Sequence, residues 1–333
     1  MALSTQLELW KDNYVDVYEQ LRKEMKWTDK KIVMMVAAVY VTSERKFDID
    51  RYVKLSETIK KEASMFSYLN SPLRYSVAAM LDTRFDDPFH AFQDMMQVYE
   101  TMVRSGFNRS QYTYLAAVAL MQDNQEKPDY PEKVERAVSI HRLMKKEHPF
   151  LTSNDDYPLA ALLAHRGEEM ESLIGQIEYI YRSLNRQGFW KGNHLQFLSH
   201  ILALDEDHTP DELVERTITT SQALKKSEIR FKSLLYPEAG LIAFLSDDAN
   251  MVKEILDFKQ ALDQEPSFRW HKDMNVKVAI NISVSHQLRE ANTLQTGLFT
   301  ALETIIQAQQ AATLAGVYAA TAASSSASNG GGQ

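Results

Sequence analysis

The chain contains no cysteine. Disulfides, thiolate metal sites and cysteine nucleophiles are therefore excluded, and a reducing compartment fits. Glycine is scarce before residue 300, and the nine prolines lie between apolar blocks. That distribution marks helices joined by short turns, and the alternating pattern of strands is absent. Positive charge is not in excess: 37 Lys and Arg face 45 Asp and Glu, a formal net charge of −8. A duplex nucleic-acid binder needs a basic face, so nucleic acid is disfavoured as a partner, although a local basic patch is compatible with this balance. No uninterrupted apolar run reaches about 18 residues, so no transmembrane helix is expected. The N-terminus MALSTQLELWKDNYVDVYEQ has no basic stretch followed by an apolar one, so no signal peptide is expected either. A cytoplasmic location is the resulting expectation.

What the chain does have is ample core material, 44% hydrophobic residues, arranged with internal similarity. One set of segments is small and apolar: IVMMVAAVYV (32–41), YSVAAMLD (75–82), YLAAVALM (114–121), PLAALLAH (158–165), FLSHILAL (197–204), GLIAFLSD (240–247) and VKVAINIS (276–283). Aligned, they place Ala37, Ala78, Ala116, Ala160, Ser199, Ile242 and Ala279 at spacings of 37–44 residues. Between them lie more polar segments that each end in phenylalanine, at Phe66, Phe107, Phe150, Phe189, Phe231 and Phe268, with spacings of 37–43. Two independent markers thus share one period. A period near 40 with two helices per unit predicts an all-α fold, an α-solenoid of six or seven stacked hairpins of the HEAT or armadillo kind. The Ala-rich helices should be the more buried, and the polar ones should face solvent on one side.

The expected organisation is an N-terminal helix or cap over 1–26, the hairpin array over 27–287, a C-terminal helix over 288–320, and a disordered tail over 321–333, whose sequence is TAASSSASNGGGQ. After Glu303 no charged residue follows, and Ala308, Ala312, Gly316 and Ala320 share one helical face. This face is read first as packing along the array, then as a means of self-association, and last as a membrane-surface contact. At the turns, Asp87-Pro88 and Thr209-Pro210 have the form of a cap followed by a first-turn proline, and Glu212 completes a capping box. Gly106-Phe107 and Gly188-Phe189 read as left-handed helix ends with the phenylalanine folded back on the last turn. The acids Asp82, Asp86 and Asp87 read as acidic helix N-termini.

Two stretches, HPFLTSNDDYPLAALLA (148–164) and GNHLQFLSHILAL (192–204), together with the Gly-Phe and Tyr-led helix at 106–121, resemble an uncharacterised bacterial family, domain of unknown function 4003. The likeness runs over roughly residues 5–320. It implies a cytoplasmic protein of low-GC Gram-positive bacteria and carries over no catalytic residues.

No His-Glu-x-x-His, Walker loop, Gly-x-Gly-x-x-Gly or Gly-x-Ser-x-Gly occurs. No cofactor is predicted, and the chain leans away from being an enzyme. The leading expectation is a protein-binding scaffold, since solenoids use long faces for recognition. The alternative is an enzyme or a small-molecule or metal-binding protein with its site near 148–158 and 189–200. Both connections there follow a terminal phenylalanine, so the repeat places them at one edge of neighbouring units. They are unusually polar, and loops on rigid scaffolds often carry binding residues. The candidate binding residues are His148, Asp155, Asp156, Trp190, Asn193, His194, Gln196 and His200.

Overall fold

The structure is a computed structural model that describes residues 4–43, 45–64, 67–121, 130–245 and 248–290. It is all-α: fourteen helices and three short 3-10 turns, with no strand among the described residues. Seven helices are amphipathic: α1 (Thr5–Glu24), α3 (Ile49–Glu62), α5 (Pro88–Ser105), α7 (Tyr130–Glu147), α9 (Met170–Arg186), α11 (Pro210–Lys226) and α13 (Asp248–Gln264). Seven others alternate with them: α2 (Lys30–Val41), α4 (Leu73–Arg84), α6 (Gln111–Leu120), α8 (Tyr157–Leu163), α10 (Asn193–Leu202), α12 (Tyr236–Ala243) and α14 (Lys272–Glu290).

Burial separates the two sets. In α2 every residue from Ile32 to Val41 is buried, and in α12 every residue is. In α9 the buried positions Leu173, Ile174, Ile177, Ile180, Tyr181 and Leu184 follow the helical period and make one stripe. A helix buried all round must have neighbours on every side, and the contacts supply them. Each amphipathic helix pairs with the buried helix that follows it, α1 with α2 through α13 with α14. The buried helices also touch in chain order, α2 to α4 to α6 and onward to α14, and α14 then touches α2. The amphipathic helices do the same, and α13 touches α1. The molecule is a closed double ring of seven hairpins, with the Ala-rich helices inside.

Closure corrects the solenoid expectation. A HEAT or armadillo array has two free ends, whereas here the first and last hairpins meet. Residues 1–26, read as an N-terminal helix or cap, contain α1, the outer helix of the first hairpin. Within 288–320, residues 288–290 complete α14; the rest of that segment, and the tail 321–333, lie outside the described residues, as does the small-residue face read as packing or self-association.

The seam is built like the other joints. Tyr14 and Tyr18 of α1 pack on Phe268, with ring centroids 5.1 and 4.8 Å apart, and Trp10 stacks on His286 at 4.1 Å. Helix C-termini leave carbonyls without intrahelical partners, and arginines from the preceding unit bind them. Arg84 donates to Val118 O at 2.8 Å and Met121 O at 2.6 Å. Arg45 reaches Asp82 O and Phe85 O, and Arg166 reaches Ala203 O and Asp205 O. Arg289 of α14 returns to Thr42 O at the end of α2, beside Ser285 Oγ at 2.9 Å.

Local sequence explains the helix ends. Asp87 caps α5 before Pro88, and Thr209 with Glu212 forms the capping box of α11. Gly106 and Gly188 adopt φ of 126° and 92°, and the following Phe107 and Phe189 N–H groups bond back to Met102 O and Leu184 O. Phe107, Phe189 and Phe268 are buried, while Phe66 lies outside the described residues. Phe150 departs from its set: it is 100% exposed. Asp82 also departs from its reading as an N-terminal acid. It sits near the C-terminus of α4, fully buried, accepting from Tyr40 Oη at 2.8 Å and Arg51 Nε at 2.6 Å.

Candidate functional site

Because hairpins alternate, all outer-to-inner connections emerge at one rim of the ring and all inner-to-outer ones at the other. The first rim carries an apolar side chain on nearly every loop. Trp27 is 100% exposed, Phe150 100%, Trp190 and Trp270 80%, Leu234 56% and Tyr68 48%. The remaining large exposed apolar residues among those described, Leu9 and Tyr179, lie on outer helices. Only the connection at 106–110 lacks such a residue; there Arg109 folds back onto Glu100 at 3.1 Å.

The backbone under these side chains is tied down. The Trp190 N–H donates to Tyr236 Oη at 3.0 Å, and the Asn108 N–H donates to Tyr157 Oη at 3.2 Å. In each case a tyrosine of the next inner helix holds the residue after a buried phenylalanine, and Phe107 stacks on Tyr157 at 3.9 Å. The fold thus fixes the loop while leaving the Trp190 indole in water, so this side chain does not seal the stack.

Charge follows the same polarity. On these connections and the inner-helix first turns, Lys26, Lys30, Lys31, Arg109, Lys191, Arg230, Lys232, Arg269 and Lys272 are exposed, against Glu228 and Asp273. This is opposite in sign to the chain as a whole. Helix dipoles explain part of it. Outer helices end at this rim with Lys60 and Lys61, Lys145 and Lys146, and Lys225 and Lys226 in their last turns. At the other rim they begin with acids such as Asp50, Glu171, Asp211 and Glu212.

Inside the basic rim, polar groups converge at the inner-helix N-termini. Glu238 is buried and lies 3.2 Å from Lys277, while its second carboxylate oxygen has no hydrogen-bond partner. His194 on α10 senses both and Asp155 as well. Its imidazole is held below the ordinary value, first by desolvation and then by Lys277. Asp156 is buried and pushed up to about 7, by desolvation first and by Asp155 second, although it accepts the Ser153 N–H at 2.9 Å.

The structure does not bring all eight sequence-selected residues to one place. Asp155, Trp190, Asn193 and His194 stand on the rim, with Asp156 buried at its edge. Gln196 and His200 are core residues, each 1% exposed. Gln196 donates to Thr152 Oγ1 at 2.7 Å, and the His200 imidazole is pushed down to about 3 by burial, with His148 and His141 adding to the effect. Their four-residue spacing on α10 turns them inward together, away from His194. His148 faces the outer wall, its Nε2 2.7 Å from Glu178 and its ring 4.6 Å from Tyr181, in a groove of about 1010 Å³ between α7 and α9. Sequence reasoning missed Trp27, Tyr68, Phe150, Leu234, Trp270, Glu238 and Lys277. A usable signal existed for most of the rim: Tyr68, Trp190, Leu234 and Trp270 each follow a repeat-terminal phenylalanine by one to three residues.

These features define a class: an all-helical closed double ring with an aromatic, basic rim. The family model described as Protein of unknown function (DUF4003) matches residues 17–311, and the chain belongs to that family. It is similar to the uncharacterized protein YeaA of Bacillus subtilis (strain 168), 36% identical over 315 residues that cover 94% of this chain and 95% of the relative. No solved structure matches.

Proposed function

We propose that this protein is a docking scaffold that binds a macromolecular surface with its aromatic, basic rim. Closure of the ring removes the long concave face that an open array would use, which moves the binding face to a rim. The observation that carries this reading is the row of exposed indole, phenyl and alkyl groups on six connections of one rim. Their distribution is uneven: six of the eight large exposed apolar side chains among the described residues lie on this one rim, and aromatic side chains such as tryptophan are favoured as binding anchors. A cytoplasmic setting is part of the proposal.

The test uses the full chain carrying Trp27→Ser, Trp190→Ser and Trp270→Ser. Helix content and thermal stability should match the wild type, because the changed groups are solvated. Binding to material from a native-host extract that retains its membranes should be lost, while a Leu9→Ser, Tyr179→Ser control retains it. Unchanged binding by the folded triple variant contradicts the proposal. A second reading is favoured by the unpartnered Glu238 oxygen and the near-neutral Asp156 carboxyl at the ring mouth: a small polar ligand held there. Glu238→Gln should then abolish ligand uptake without affecting rim docking.

A further inference from the structure

Resting on the docking reading, we infer that the surface this rim meets is an anionic lipid membrane, on which the ring seats flat. The argument begins with the pattern of the rim. Its apolar groups are single side chains on separate loops, interleaved with Lys and Arg, and they encircle the mouth of the ring. A protein-binding hot spot has a different composition: contiguous apolar residues at its centre, with lysine depleted. Indoles and phenyl rings beside lysines are the composition of a lipid interface, where the ring enters the headgroup layer and the ammonium meets lipid phosphate. Three of the chain's four tryptophans, the side chain most favoured at that depth, are on this rim.

The second step is charge. A chain of net charge −8 is repelled by an anionic surface unless its charge is segregated. Segregation is what most of the outer helices provide, with basic last turns at the aromatic rim and acidic first turns at the far one; α13 lacks the basic last turn and α5 the acidic first turn. The same polarity fixes orientation, because the acidic rim must face away from the lipid. No described helix is long and apolar enough to cross a membrane, and the contact inferred is that of the rim lying on the surface. Each exposed base near such a surface contributes about fivefold to partitioning, and the effect fades within a Debye length.

The experiment mixes the full-length protein with vesicles of phosphatidylcholine alone or with about 30% phosphatidylglycerol, a composition that supplies the negative surface potential. Co-sedimentation measures binding, and quenching of tryptophan emission by brominated acyl chains measures depth. Trp10 is 9% exposed and packed against α13 and α14, so quenching reports the rim indoles. Expected is binding to the anionic vesicles only, with quenching, and with release as salt is raised. The variant carrying Lys26→Glu, Lys191→Glu and Lys232→Glu should bind at least on the order of 100-fold more weakly. The triple tryptophan variant should lose quenching and most binding. Should that variant fail to fold, the lysine variant, whose changes are all on exposed groups, decides the matter.

Equal binding to neutral vesicles, indifference to either variant, or displacement by duplex DNA at lower concentration than by lipid overturns the inference. Absence of vesicle binding overturns it as well. If the rim variants then still lose a captured protein, the lipid inference fails while the docking reading stands; if they lose nothing, both fail.

Discussion

Phe268 lies at the joint between the last hairpin and the first, and its replacement by alanine tests whether the ring is closed. The side chain is fully buried, with Tyr14 and Tyr18 of α1 against its ring at 5.1 and 4.8 Å. Around it, Ser267 donates to Glu19 at 2.8 Å and Lys11 lies 3.3 Å from Glu265, so polar contacts close the joint at its surface. Truncating a fully buried phenylalanine costs about 3–5 kcal/mol when the cavity cannot collapse. In an open array the last unit frays, and a defect there is felt locally. In a closed ring this joint resembles any other. Phe189→Ala provides the comparison, since Phe189 is 3% exposed and packs on Tyr236 at 4.8 Å within the ring. Urea unfolding followed by circular dichroism should give the two variants losses within about 1 kcal/mol of each other, each in one cooperative transition. A Phe268→Ala loss below about 1 kcal/mol, with Phe189→Ala at full cost, would refute closure.

Asp82→Asn should destabilise the protein by about 2–3 kcal/mol, because it removes the charge that Arg51 and Tyr40 share; the figure is below that for a fully buried pair because Arg51 is 32% exposed. Indifference in thermal melts would show the cluster to be dispensable. Ala116→Asp, at a fully buried position, should leave the protein unfolded or aggregated, since an unpaired carboxylate would enter the core. Soluble, fully helical Ala116→Asp protein would reverse the assignment of the inner layer. With a folded value of about 3 against an ordinary 6.5, His200 is protonated more readily in the unfolded chain, so its contribution to stability is lost as pH falls from 6.5 towards 3. Asp156, raised from 3.8 to about 7, binds its proton more readily in the folded chain, so stability declines as pH rises across that window. Asp156→Asn should remove the second dependence in urea titrations at stepped pH; an unaltered profile would mean that the carboxyl is not buried in solution.

The layering of the fold was legible because burial on all sides and burial on one side leave different patterns. IVMMVAAVYV admits no solvent face, whereas the residues of α9 alternate with the helical period. Ring closure was not legible. It depends on the rotation between successive hairpins summing to a full turn over seven units, and no single residue carries that sum. The contacts that close the ring, such as Arg289 to Thr42, are 247 residues apart in sequence. The candidate edge was half legible for a related reason. Placing the connections 148–158 and 189–197 at one end used only repeat phase, but which side chains turn outward depends on a few backbone angles. Phe150 and Phe189 occupy the same repeat position, yet one is solvated and the other packs on Tyr236. Polar character was also a misleading guide. It selected Gln196 and His200, which are core residues, while the informative feature of the rim was apolar side chains where loops ordinarily carry polar ones.

Oxidative footprinting of the four tryptophans tests the central claim most directly. In the purified protein Trp27, Trp190 and Trp270 should be labelled readily and Trp10 sparingly, in keeping with exposures of 100, 80, 80 and 9%. Repeated in a native-host extract that retains its membranes, the account predicts joint protection of the three rim tryptophans, with Tyr179 on the outer wall labelled as before. Rim labelling that is unchanged in the extract, or protection that falls on Tyr179 and spares the rim, would contradict it.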